Sequence, residues 1–382
     1  MGVRLVLIDH HIGVGKLERY DNVTIIKTDS LDFFYDITGK YLDDDYDMII
    51  SDEDPDGVTS AILYLLGKNK NIKFVGNRSG LSSTSLADLE KQGVTNILAL
   101  DWFPINFSEI QAFSEVIILN PVMSGLVNVN TSEIVYRSLF TDNEFLRDIS
   151  VVGTLCDYLV DTSKEKFNDF MNSYKDVFPE LYEVSFRHEL DRYNAYRLNG
   201  SYTKLFDISL MFWAPFIIDG QEGNNKIIDL IIKNPNFTMA DLIYGSDNLA
   251  VVYLRELFIK LLTLINFERE NFYKEVKIIG NVYLYSPKNY AQGLMSKFSS
   301  IISDEVSEKN PMAVVIMKGL SNNNAKYSLR TSHADYNLGK VLNTITENGG
   351  GHPTAAGVNL SLDKIEDFEN KLFGIINNNL DK

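Results

Sequence analysis

The sequence predicts an α/β protein of two lobes: a parallel-sheet N-terminal domain, a helical connecting region and a smaller α/β domain at the C-terminus. Three observations carry that reading. Over residues 1–160, apolar strand-like runs alternate with helix-like stretches. Long aliphatic and aromatic residues then recur at helical spacing over 161–276, and from 277 to 382 the strand pattern returns and closes on an amphipathic helix. Buried strands that alternate with helices form parallel sheets, whose functional residues collect beyond the C-terminal strand ends.

In chain order, the expected strands of the first domain are RLVLI (4–8), VTIIK (23–27), DMIIS (47–51), IKFVG (72–76), NILAL (96–100) and EVIIL (115–119). Helical patterns lie between several of them, such as TSAILYLLGKN after Gly57 and SLADLEKQG before Gly93. The segment 249–276, LAVVYLRELFIKLLTLINFERENFYKEV, reads as a long connecting helix. In the last domain, VKIIGNVYLYS, MAVVIMKG and KYSLRTS are strand-like, and LDKIEDFENKLFGIINNNL is the closing helix.

Composition narrows the class. The chain has 382 residues, 45% of them hydrophobic, enough for two or three cores. No apolar run approaches the roughly 18 residues of a membrane span. The N-terminus has too short an apolar core for a secretory signal, and Val6 stands where a myristoylation signal needs Ser or Thr. A single cysteine, Cys156, is the pattern of a reducing compartment, so the expected location is cytoplasmic. The net charge of −16 argues against broad phosphate-backbone binding over the whole surface. It leaves room for an acidic pocket whose bound cations reverse the local charge.

The stretch SDEDPDGVTSA (51–61) is the most informative. Asp52, Asp54 and Asp56 alternate directly after a strand, before Gly57 and a helix. Carboxylates so arranged can converge on hard divalent cations, which take oxygen ligands. The same residues also suit a solvated acidic turn with an N-cap. Asp101 ends NILAL, and Asp157 follows the apolar run VVGTLC, read as a second strand end. Together with the triple-Asp turn they suit a site of one or two ions. At 9–11, Asp9, His10 and His11 end RLVLI.

Near the C-terminus, GGGHPTAAG (349–357) offers Gly349, Gly350 and Gly351, which let backbone amides approach an anion, and His352, which can bond a phosphate. Arg330 in YSLRTS suits a bidentate phosphate contact. A turn of small residues fits the glycines as well. His188 and His333 read as structural or surface residues, and Cys156 as a small buried hydrophobe. Trp102 and Phe103 suit either the core or base stacking.

The series DEDPDG, Asp101, Asp157 and GGGHPTAAG resembles the DHH phosphoesterase superfamily, in its branch with a DHH-associated C-terminal domain, as in RecJ and its archaeal homologues. The stretch 216–235, FIIDGQEGNNKIIDLIIKNP, is similar to the region after the core of the archaeal proteins. The resemblance covers 47–375 and leaves 1–46 as an extension of a DHH-type domain at 1–160. It implies a metal-bearing lobe with Mn2+ or Mg2+, held by Asp54, Asp56, Asp101 and Asp157, and a lobe that binds a nucleotide or a strand end through Arg330 and Gly349–His352. The implied substrates are single-stranded nucleic acid ends or short oligonucleotides, nucleoside bisphosphates and cyclic dinucleotides. The implied alternative is an inactive replication or repair factor that binds single-stranded DNA or helicase proteins.

The third motif departs from that pattern. The superfamily's Asp-His-His belongs at the end of EVIIL, where this chain has Asn120, Pro121 and Val122. Two readings follow. Either RLVLI joins the same sheet and delivers Asp9, His10 and His11 to the site, or the match at 9–11 is coincidental and the site is incomplete.

Overall fold

The computed structural model describes residues 2–10, 20–68, 73–74, 83–102, 107–126, 129–140, 142–157, 164–179, 197–198, 201–289, 293–321, 323–333, 336–346 and 349–378. The chain divides into two compact units, Met1–Phe258 and Ile259–Lys382.

The first unit is built on β1 (Arg4–Ile8), β2 (Val23–Ile26), β3 (Met48–Ser51), β4 (Lys73–Phe74), β5 (Asn96–Leu100) and β6 (Glu115–Leu119), with α1 (Leu31–Leu42), α2 (Pro55–Lys68), α3 (Ser83–Lys91), α4 (Thr131–Leu139) and α5 (Glu144–Cys156). The sheet order is β2-β6-β1-β5-β3-β4, and every pairing is parallel. The N-terminal strand is therefore central: Ile8 lies opposite Leu100 of β5 on one side and Leu119 of β6 on the other. Such a strand must be apolar on both faces, and RLVLI is. Leu5 and Leu7 join one core cluster with Ile50, Ala99 and Ile118, while Val6 and Ile8 are as fully buried as they are. Polar caps start the helices: Ser30 accepts from Phe33 N, Asn130 from Glu133 N and Asn143 from Leu146 N.

After Asp157 come α6 (Lys164–Ser173), a short antiparallel pair of β7 (Arg197–Leu198) and β8 (Ser201–Tyr202), α7 (Lys204–Lys233), α8 (Met239–Tyr244) and α9 (Leu249–Glu275). Helix α7 contains Pro215 and breaks its helical path at Gly220 (φ 64). The unit boundary falls inside α9, so the structure draws two units where the sequence suggests three segments. No helix among the described residues is long and apolar enough to cross a membrane.

The second unit has β9 (Lys277–Ile279), β10 (Val282–Tyr285), α10 (Leu294–Ser307), β11 (Val314–Leu320), β12 (Asn324–Thr331), α11 (Leu338–Ile345), β13 (Gly349–His352), β14 (Ala355–Ser361) and α12 (Ile365–Asn378). Its sheet order is β13-β14-β12-β11-β10-β9. Only β10 and β11 pair in parallel; the other pairings are antiparallel. Val314, Ile316, Tyr327, Leu329, Val358 and Leu360 form its core with Phe368, Leu372 and Ile376 of α12.

Two sequence expectations are corrected. VVGTLC is the last part of helix α5, not a strand, and Asp157 is that helix's C-cap. From Leu146 to Cys156 every residue is buried, and an apolar run as short as VVGTLC cannot be told from a strand by periodicity alone. The glycine run is itself a strand of a hairpin: Gly349, Gly350 and Gly351 pair with Val358, Gly357 and Ala356 of β14.

Candidate metal centre

Because the first sheet is parallel, its strands deliver their C-terminal residues to one edge. Asp9 and His10 follow β1, Asp52 follows β3 and Asp101 follows β5. The turn from β3 into α2 adds Asp54 and Asp56, and the end of α5 adds Asp157. Three sets of potential ligand atoms have all members within 4.8 Å: Asp9, His10 and Asp101; His10, Asp56 and Asp157; Asp52, Asp54 and Asp101. Asp101 and His10 each belong to two sets.

His10 is the hub. Its Nδ1 lies 3.3 Å from Asp101 Oδ1 and 3.8 Å from Asp56 Oδ2, and its Nε2 lies 3.3 Å from Asp157 Oδ2. Thr131 Oγ1 is 3.2 Å from His10 Nδ1 and donates to Asp101 Oδ1 at 3.1 Å. RLVLI lies in the same sheet as NILAL and EVIIL, and its end brings Asp9 and His10 beside Asp101. His11, Phe103, His188 and the side chain of His352 lie outside the described residues.

At the strand end where the motif was expected, Asn120 supports its neighbour. It caps the following 3-10 turn by accepting from Val122 N at 2.9 Å, and its Nδ2 donates to Asp9 Oδ2 at 3.4 Å. Pro121, which has no N–H to satisfy, opens that turn.

The turn carrying Asp52–Asp56 is locally determined. Asp54 Oδ1 accepts from the amides of Asp56 and Gly57, each at 3.1 Å, and so caps α2. A Cβ on Gly57 would sit 2.5 Å from the Asp52 carbonyl oxygen, so this turn requires glycine. The kinked helix α7 reaches the same turn: Asn224 Nδ2 donates to Glu53 O at 2.8 Å. Asp101 takes a left-handed backbone conformation (φ 54). For a non-glycine residue that costs on the order of 1 kcal/mol or more, and such strain concentrates at functional sites.

Asp56 is fully buried and is held by the N-terminus of α4. Asn130 Nδ2 and Ser132 N donate to its Oδ1 at 2.8 and 2.9 Å, and Thr131 N donates to Oδ2 at 2.8 Å. The sequence reading missed this cradle. Its signal is Asn-Thr-Ser-Glu at 130–133, an N-cap pattern whose amides face an anion. Gly153 was missed too. A Cβ there would lie 2.3 Å from Ser132 Oγ, 2.6 Å from Thr59 Oγ1 and 2.8 Å from Asp56 Oδ1, so α5 approaches Asp56 only through this glycine.

The charge in the cluster is unbalanced. Burial raises Asp56 above the usual carboxylate range, although His10 and the Ser132 hydrogen bonds pull it down. Asp157 is pushed well above that range by burial and by Asp56. Burial works against a charged His10, but Asp157, Asp56, Asp9 and Asp54 outweigh it and raise the imidazole. So many carboxylates cannot all stay ionised around one imidazole. A hard or borderline divalent cation would resolve the conflict, and a set of carboxylate oxygens with one imidazole suits Mn2+ or Mg2+.

In the second unit, Arg330 is ordered by serines of α10: Nε donates to Ser300 Oγ at 3.1 Å and Nη2 to Ser296 Oγ at 2.7 Å. Arg330, Ala355 and His352 form one cross-strand row over β12, β14 and β13. Trp102 is fully buried in the first unit's core, which leaves no face for a base. Cys156 is buried with its Sγ 3.2 Å from Ser209 Oγ, and His333 packs edge-on to Tyr336.

Solved RecJ proteins share this fold. RecJ of Thermus thermophilus in complex with Mn2+ matches with a TM-score of 0.63 at 12% identity, over 98% of this chain and 62% of its own. An exonuclease RecJ bound to manganese matches at 0.57 and 13% identity, over 92% and 95%. A DHH domain from a member of a ribosomal protein family matches at 0.57 and 12% identity, over 91% of each chain. At such identities the likeness is one of fold, and this chain spans about 62% of the length of the Thermus protein. No curated protein matches the sequence. Residues 280–378 match the family model of the DHHA1 domain. The chain thus shares the fold of the RecJ proteins and, over residues 280–378, matches the DHHA1 domain.

Proposed function

We propose that the protein is a Mn2+- or Mg2+-dependent phosphodiesterase that hydrolyses single-stranded nucleic acid ends or short oligonucleotides. The observation that carries the reading is the convergence of Asp9, His10, Asp52, Asp54, Asp56, Asp101 and Asp157 at one sheet edge, with His10 in contact distance of three of the carboxylates. In this reading Asp9, His10, Asp54, Asp56, Asp101 and Asp157 hold one or two ions, with Asp52 beside them. Bound ions of this kind make water a stronger acid and offset the charge that develops on a phosphoryl group. The chain's own part is to fix the donors. The α4 amides hold Asp56, Thr131 bridges His10 and Asp101, and Asn120 steadies Asp9. In the second unit, Arg330, Gly349, Gly350, Gly351 and His352 are proposed to bind the anionic group of the substrate, with Ser296 and Ser300 orienting the guanidinium.

The inactive-scaffold alternative rested on Asn120–Pro121, and the position of His10 beside Asp101, Asp56 and Asp157 weighs against it. The test is Mn2+-dependent hydrolysis of a labelled single-stranded oligonucleotide, a dinucleotide and a nucleoside bisphosphate. Release of mononucleotides that disappears in the Asp54→Ala, Asp56→Ala double variant is the expected result. Preference for the bisphosphate would redirect the reading to a small-nucleotide phosphatase. Absence of hydrolysis on all three, with stable binding of single-stranded DNA or replication proteins, would return it to a scaffold.

A further inference from the structure

Helix α6 contributes no ligand to the carboxylate cluster, yet it carries a lysine into the layer behind it. Lys166 is fully buried. Its Nζ donates to Ser150 Oγ and Thr154 Oγ1, both at 2.8 Å, and lies 3.6 Å from Glu133 Oε2. Two of the ammonium's three donors thus have hydroxyl acceptors, and the Glu133 carboxylate stands at ion-pair distance.

The acceptors connect directly to the cradle of Asp56. Glu133 is in the first turn of α4, and Ser150 and Thr154 are one turn apart on α5. Ser132 Oγ donates to the Ser150 carbonyl at 3.1 Å, while Ser132 N holds Asp56. Thr154 Oγ1 lies 3.4 Å from Asn130 Oδ1, and the amide of that same side chain holds Asp56 at 2.8 Å. The two helices tied by this one cation are those that cradle Asp56 and end at Asp157. Stability alone is a weak reason to bury an ion pair, since replacing the whole pair by apolar side chains of similar volume is often neutral or stabilising.

We propose that Lys166 is a positioning residue for the metal centre, fixing α4 against α5 so that Asp56 and Asp157 are presented in the geometry a divalent cation requires. The inference rests on the metal-binding reading given above. Groups that support metal ligands from behind typically change affinity by about 10–100-fold when removed.

Calorimetric titration of Mn2+ into the full chain, with no substrate present, tests it. The wild type, Lys166→Met, Thr154→Val and Thr154→Ser are compared, with thermal unfolding of each recorded without metal. A folded Lys166→Met variant whose Mn2+ affinity is about tenfold or more weaker is the expected result. Thr154→Val should weaken binding severalfold and Thr154→Ser should restore it. A purely structural lysine would lower the unfolding temperature and leave the affinity of the folded protein unchanged, and that result overturns the proposal. If Lys166→Met does not fold, the threonine pair decides: equal affinities for Thr154→Val and wild type overturn it. Failure of the wild type to bind Mn2+ would remove the metal-centre reading and this inference with it.

Discussion

β1 and β6 lie side by side, parallel and in register, with Ile8 opposite Leu119. They end differently. β1 runs into Asp9 and His10, which join five further carboxylates. β6 runs into Asn120 and Pro121, which cap a 3-10 turn and lend Asp9 a hydrogen bond. A parallel sheet gathers all its C-terminal ends on one edge, so either strand could supply candidate ligands. What matters is the strand's place in the sheet and not its place in the sequence.

The largest effect expected from that contrast is at His10. His10→Ala should cost about a hundredfold or more in Mn2+ affinity, at the upper end of what a supporting group alone costs, whereas Pro121→Ala should leave affinity within about twofold. Calorimetry on both variants reads the difference, and equal losses would erase the distinction between the two strand ends. Next is Gly153→Ala, which forces a methyl into the contact between α5 and Asp56. A loss of about 1–3 kcal/mol in denaturant unfolding is expected from overpacking, and an unchanged midpoint would mean that α5 can retreat without consequence. Asn120→Ala, which removes the support from β6 to β1, should weaken Mn2+ binding about tenfold; full affinity would make Asn120 a cap and nothing more.

The smallest effect lies away from both strand ends. Burial raises Asp207, in the first turn of α7, to about 6, above the usual value of about 3.9 for an unfolded chain. Its neutral form therefore favours folding below the unfolded value, and that contribution is lost as pH rises through 6. Asp207→Asn should be more stable than the wild type at pH 7 by about 1 kcal/mol, allowing for partial exposure, and no more stable at pH 3.5. Thermal unfolding at the two pH values checks it, and a gain at both would point to a cause other than titration.

Much of this was legible in the sequence. Alternation of apolar runs and helical stretches announced the parallel sheet, and strand-end aspartates announced the acidic edge. Three features were not. Strand order in a sheet is a tertiary fact, so nothing in RLVLI says that it pairs with both NILAL and EVIIL. The helix ending at Asp157 is buried even along its polar row, and its last part, VVGTLC, is too short an apolar run to tell helix from strand. The cradle of Asp56 joins residues 74–76 positions apart, and Lys166 meets Asp56 only through α4 and α5. Local patterns pick out the candidate ligands; the groups that hold them are assembled by packing.

The central position of β1 also governs how the protein assembles over time. Arg4 is 92 residues from Asn96 and 111 from Glu115, the first residues of its partner strands. During synthesis the strand waits for both partners long after it has been made, and such distant pairings form slowly. The middle of the sheet and the position of His10 are then completed together. Conversely, any opening that frees β1 disperses the candidate ligands together with the sheet, so on the proposed reading a bound cation should slow amide hydrogen exchange most at Leu5 to Ile8.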